Sequence, residues 1–252
     1  MIDTHCHLFD EAFDNDREEL IKNITLSGVS KLIIVGFSDD TNLKAYELSS
    51  KYDFMYPTCG IHPSEADSNP DILLENLEKF ISEHKVYAIG ECGLDYYWDK
   101  TYVNEQKYLF RYQIELAKRL DLPIIVHCRD AIQDCYDILN EYKPIRGVMH
   151  CYSGSLEMAH RFIELGMYIS LGGPVTFKNA KEPKHVAKNI DINRLLIETD
   201  CPYLAPTPMR GKRNDSSYLK YILNEIANIR NIDTNTLETI LDRNSLNLFR
   251  LE

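Results

Sequence analysis

Two histidines separated by one residue, His5 and His7, are the first groups in the chain able to do chemistry. They lie in a short apolar segment with strand character, and side chains two apart on a strand share a face, so both imidazoles converge on one point. An HxH pair alone leaves two readings open, a metal site and ordinary polar packing. Four later strand-like segments also end in good ligand types: Glu91 in IGECGLD, His127 in IIVHCRD, His150 in VMHCYSG and Asp200 in IETDCPY. In a parallel barrel such ends share one rim, the rim on which barrel active sites are built. Four histidines and two carboxylates exceed what one tetrahedral ion needs and suit two ions that share a carboxylate. Imidazole with carboxylate suits Zn, Mn and, with more water, Mg.

The cysteines offer an internal check. Cys6, Cys92, Cys128, Cys151 and Cys201 each directly follow one of these candidates. If the candidates face the barrel mouth, strand alternation turns the thiols toward the helix layer as small buried hydrophobes. A structural zinc held by the thiolates is the rival reading, but adjacent strand residues face opposite ways. Seven cysteines, an odd number without a CxxC, do not make a disulfide framework.

The elements that must position these groups follow from periodicity. Strand candidates fall at 2–7, 31–37, 55–62, 86–95, 122–128, 147–151, 168–172 and 195–200. Between them apolar residues recur at helical spacing, as in Leu109, Tyr112, Leu116 and Leu120, or Leu219, Ile222, Leu223, Ile226 and Ala227. Ser155 and Gly166 bracket one such helix as N-cap and C′ residue, and a further helix follows the eighth unit from about residue 233. Eight βα units in 252 residues match a (β/α)8 TIM barrel, expected as a single domain over 1–252. An open doubly wound sheet shares the pattern, but no Gly-rich phosphate loop opens the first unit.

Composition narrows the function. Asp and Glu number 39 against 28 Lys and Arg, so the net charge of -11 excludes attachment to nucleic acid or anionic lipid by bulk positive charge. A polyanionic substrate must be met locally. No apolar run approaches the roughly 18 residues of a membrane span, and residues 1–8 lack the basic start and apolar stretch of a signal peptide. The expected location is cytoplasmic, with no membrane contact and no obligate protein partner.

The segments IDTHCHL, CGIHPSEA, IGECGLDYY, PIIVHCRDA, HCYSGS, IETDCPYLAP and RGKRND, in that order, resemble the TatD family of metal-dependent deoxyribonucleases, within the amidohydrolase-like barrels. The resemblance runs nearly end to end. It implies a (β/α)8 barrel, two divalent ions (Mg, Mn or Zn) and hydrolysis of phosphodiester bonds in DNA as a 3′ to 5′ exonuclease. It assigns His5, His7, Glu91 and Asp200 to one ion and Glu91, His127 and His150 to the other, with Glu91 as the bridge. The basic motif departs from the family form, since Asp215 and Ser216 follow Asn214 where Glu and Pro are usual.

On that basis Asp200 is expected to accept the proton of a water between the ions, in addition to binding metal. His62 in GIHP is expected on the same rim, donating to a phosphate oxygen or to the leaving group, or else packed against Pro63 in a turn. Arg129 is a candidate phosphate contact, with pairing to Asp130 or Asp134 as the alternative. Arg210, Lys212 and Arg213 form the densest basic cluster, in the loop after strand eight where barrels often bind phosphate. Tyr96, Tyr97 and Trp98 offer faces on which bases could stack. Asp95 is expected to hydrogen-bond a ligand histidine from behind, and Asp3 shares the inward parity of His5. The expected substrate is DNA, single-stranded or at 3′ ends. An amidohydrolase cleaving a C–N or ester bond of a small molecule is the alternative, and a scaffold that keeps metal for stability is a third.

Overall fold

The computed structural model describes residues 1–98 and 100–252. Its strands are β1 (Ile2–Cys6), β2 (Lys31–Val35), β3 (Met55–Thr58), β4 (Ile89–Asp95), β5 (Ile124–Arg129), β6 (Gly147–Met149), β7 (Met167–Leu171) and β8 (Leu195–Ile197). The helices between them include α1 (Arg17–Leu26), α2 (Asp39–Ser49), α3 (Pro70–Glu83), α4 (Val103–Arg119) and α5 (Ile132–Glu141). The remainder are α6 (Leu156–Glu164), α7 (Lys181–Asn189), α8 (Leu219–Arg230) and α9 (Thr234–Phe249). The side chain of Ser155 caps α6 by accepting the amide of Met158, and Gly166 follows its end at φ +105°. Among the described residues no helix is long and apolar enough to cross a membrane.

All pairings are parallel, β1 to β3 in one run and β4 to β8 in another. Two isolated bridges, Cys59 with Ile89 and Cys6 with Cys201, join the runs into a ring. At the closing seam the amide of Asp200 donates to the His5 carbonyl at 2.9 Å, and that of His7 to the Cys201 carbonyl at 2.9 Å. The fold is therefore the (β/α)8 barrel, with its helices outside.

Closing the ring explains why β3 and β8 end earlier than periodicity suggests. At Cys59 the chain turns its hydrogen bonds from β2 to the strand-four side, donating to Ala88 and accepting from Gly90. Past Glu198, whose amide still donates to Leu171, it leaves β7 and pairs with β1 instead. His62 and Asp200 thus sit on loops just beyond strands, not within them.

Residues of inward parity fill the barrel. Ile33, Val35, Ala88, Ile125, Val148 and Leu196 pack together as one buried cluster, which Leu248 and Phe249 of α9 join. The parity that sends Ile125 and Val148 inward sends His127 and His150 inward two residues later. A larger apolar cluster lies between strands and helices, where burying each Leu or Ile contributes roughly 1.5–3 kcal/mol.

The strand that carries Glu91 is irregular. Its register against β5 shifts between Ile89 and Cys92, and Gly90 and Gly93 flank Glu91 at φ +130° and +140°. A Cβ on Gly93 would lie 2.0 Å from the carbonyl oxygen of His127, so only glycine permits the approach of these two strands.

Candidate metal centre

Six of the side chains singled out by type and spacing meet at the C-terminal mouth. His5 Nε2 stands 3.2 Å from His7 Nε2, 3.3 Å from Glu91 Oε2 and 3.7 Å from Asp200 Oδ1. His7 Nε2 is 3.9 Å from Glu91 Oε2 and 3.4 Å from Asp200 Oδ1. Ligand atoms arranged tetrahedrally around a zinc-sized ion, each about 2.0–2.2 Å away, lie about 3.3–3.6 Å apart. The five distances above, from 3.2 to 3.9 Å, lie close to that range.

The other oxygen of Glu91 serves a second group. Glu91 Oε1 is 2.9 Å from His127 Nδ1 and 3.0 Å from His150 Nε2, and those nitrogens are 3.4 Å apart. One carboxylate thus faces two donor sets, one with each oxygen.

The far nitrogens of three histidines show which atoms are free to bind. His7 Nδ1–H donates to the Val35 carbonyl at 2.7 Å, His127 Nε2–H to Asp95 Oδ2 at 3.0 Å, and His150 Nδ1–H to Glu198 Oε1 at 3.2 Å. Each acceptor fixes the tautomer, which leaves the inward nitrogen with a lone pair. His127 Nδ1 and Glu91 Oε1 then confront each other as two acceptors, an arrangement that requires a cation or a proton between them. His5 differs, since its Nδ1 is buried without a partner among the described residues.

Electrostatics carry the same message. Burial alone would raise the carboxyls of Glu91 and Asp200, yet the surrounding histidines hold both below the ordinary range, Glu91 far below. Burial likewise opposes charge on His7, His127 and His150, but their carboxylate neighbours lift all three. Of these four histidines only His5 is lowered, by burial and then by His150. The cluster is a buried negative site that seeks positive charge, as the donor set of a divalent metal must be.

His62 caps a short turn at Pro63–Glu65, its Nδ1 accepting the amide of Ser64 at 3.1 Å. Its Nε2–H therefore points to the cluster, 3.6 Å from Glu91 Oε1, so it combines the turn role with a place on the rim. Burial pushes its imidazole down to about 4. Asp95 lies behind His127, and Asp3 ties β1 to the seam by accepting the amide and hydroxyl of Thr199 at 2.9 and 2.6 Å.

The basic candidates separate. Arg129 lines the mouth and stacks its guanidinium on Tyr97, 3.7 Å from the ring centre. It does not pair with Asp134, which is held by Lys107 and the hydroxyl of Tyr96. Arg210 is exposed and stacks on Phe177, and Lys212 is exposed. Arg213 forks onto Asp16 and packs over Phe13. Asn214 anchors this loop to the seam by donating to the carbonyls of Thr199 and Tyr203.

Of the cysteines, Cys6 and Cys92 are buried and donate to the carbonyls of Ile33 and Ile125. Cys128 and Cys151 instead line a cavity beside the cluster, Cys151 because φ +42° takes it out of strand alternation. Among the described residues no cysteine belongs to a group able to hold a metal ion. The residue that periodicity reasoning missed is Glu198, buried behind His150. Its signal was the shared parity with Asp200 in IETD.

A (β/α)8 barrel whose rim gathers histidines around a shared carboxylate defines a metal-dependent hydrolase. The family model described as TatD related DNase matches residues 2–250, and the chain belongs to that family. The chain is 45% identical to the uncharacterized metal-dependent hydrolase YabD of Bacillus subtilis, over 100% of this chain and 99% of the relative. It is 33% identical to the 3′-5′ ssDNA/RNA exonuclease TatD of Cronobacter sakazakii, covering 99% and 97%. The crystal structure of the TatD homologue YjjV from Escherichia coli K12 superposes with a TM-score of 0.93 at 30% identity, covering 100% and 98%.

Proposed function

We propose that this protein hydrolyses phosphodiester bonds in DNA, removing nucleotides from the 3′ ends of single strands with two divalent ions, Mg, Mn or Zn. The observation that carries this reading is Glu91, whose oxygens stand separately against His5 and His127. His5, His7, Asp200 and Glu91 would hold one ion, and Glu91, His127 and His150 the other. The relative named as a 3′-5′ exonuclease supports the choice of nucleic acid over a small amide or ester.

Bound ions supply concentrated positive charge that acidifies water and polarises a phosphate. Asp200, held ionised beside His7, accepts the proton of the attacking water. A bond forms from the water oxygen to phosphorus, and the bond from phosphorus to the 3′ oxygen of the preceding nucleotide breaks. The neutral His62 donates an Nε2–H hydrogen bond to that departing oxygen, which is protonated by the proton Asp200 took from the water. Arg129 answers the phosphate charge at the mouth, with Arg210 and Lys212 farther out.

The test is a gel assay of metal-stripped protein on 5′-labelled single-stranded DNA, with Mg, Mn or Zn restored separately and Glu91→Ala alongside. Stepwise shortening that needs metal and vanishes in the variant is the expected result. No cleavage with any metal would overturn the reading and shift attention to small amides and esters.

A further inference from the structure

The mouth contains two cavities, of about 300 and 450 Å³, and the metal cluster stands between them. Both are lined by His127, Arg129, His150, Asp200 and Leu204, so a phosphate held by the cluster faces each of them. Their remaining walls differ. The larger carries Phe37, Trp98 and Tyr203, and Trp98 and Tyr203 are 74% and 52% exposed, which opens that side to solvent. The smaller is walled by Leu171, Pro174, Val175 and Pro183, close to the lower limit of about 300 Å³ for small-molecule pockets.

We infer that the smaller cavity is a nucleoside pocket, which holds the sugar and base of the terminal nucleotide whose 5′ phosphate lies at the cluster. The rest of the strand leaves over the aromatic wall of the larger cavity. This rests on the proposed hydrolysis of DNA and gives it a structural cause for acting at ends, because the smaller space admits one nucleoside and not a continuing chain. Aliphatic and proline walls suit the faces of a planar base. Beyond the residues shared with the larger cavity, its polar side chains are Cys128, Cys151, Tyr152 and Ser153. None offers the paired donor and acceptor of an amide, and Tyr152 already donates to the Ser155 carbonyl. The pocket therefore takes all four bases with little preference.

Calorimetric titration of the zinc-loaded protein with thymidine 5′-monophosphate, deoxyribose 5-phosphate and inorganic phosphate tests this. The nucleotide should bind roughly tenfold or more tightly than deoxyribose 5-phosphate, the difference being the buried base. Pro183→Trp, at the half-buried start of α7, should fill the pocket and abolish that difference while leaving inorganic phosphate affinity unchanged. Equal binding of nucleotide and sugar phosphate by the unaltered protein would overturn the pocket, whatever the variant does. So would a variant that keeps the full nucleotide affinity. If phosphate itself does not bind, the phosphodiester reading fails, and the pocket with it.

Discussion

His150 Nδ1 lies 3.2 Å from Glu198 Oε1, and the same oxygen accepts the amide of Cys151 at 2.6 Å. Glu198 is buried just past β8, its own amide on the Leu171 carbonyl of β7, so it holds both the ring and the backbone that carries it. Glu198→Ala should weaken metal binding about 10–100-fold, through loss of the fixed tautomer and orientation. Zinc titration against a competing chelator measures this, and an unchanged affinity would mean that Glu198 serves packing alone.

His62 gives a pH prediction with a definite sign. Its folded value of about 4 lies below the ordinary 6.5 because burial disfavours the charged ring. Between those values the folded protein binds fewer protons here than the unfolded chain, so this group lowers stability as pH falls through that window. Histidine side-chain NMR of the zinc-loaded protein should show the His62 ring neutral from pH 7.5 down to 5. An inflection near 6.5 would contradict the assignment of His62 as a neutral donor.

Two arginines near one site should behave differently. Arg129→Ala removes a guanidinium that lines the mouth and should raise KM for DNA about tenfold or more, the usual consequence of losing a charged phosphate contact. Arg213→Ala breaks the fork onto Asp16 and should lower Tm slightly with KM unchanged within about twofold. Steady-state kinetics paired with thermal melts separate the two, and a large KM effect at Arg213 would return it to the substrate path.

Gly93 is the backbone constraint next to Glu91. Gly93→Ala would force a Cβ onto the His127 carbonyl in a conformation that side chains rarely adopt, and should cost at least about 2 kcal/mol in denaturant unfolding. A variant as stable as the parent would show that β4 and β5 can separate freely.

Much of the site was legible because a parallel barrel converts sequence order into position: residues at strand ends share a rim. That logic brought His5, His7, Glu91, His127, His150 and Asp200 to one place from parity alone. It misjudged only where two strands end. His62 and Asp200 lie past Thr58 and Ile197, since closing the ring redirects hydrogen bonds there. Cys151 breaks alternation for the same kind of reason, a backbone turn at φ +42° that residue type does not announce. A cluster of basic residues also does not reveal that Asp16, almost two hundred positions away, pairs with Arg213. Glu198 escaped because its partner, the outward nitrogen of His150, is known only once the ring is oriented.

Electron paramagnetic resonance of the protein loaded with two equivalents of manganese tests the shared carboxylate most directly. Two ions bridged by Glu91 should give the broad spectrum of an exchange-coupled pair, lost in Glu91→Ala. The sharp hyperfine pattern of isolated Mn(II) ions in the unaltered protein would contradict the account.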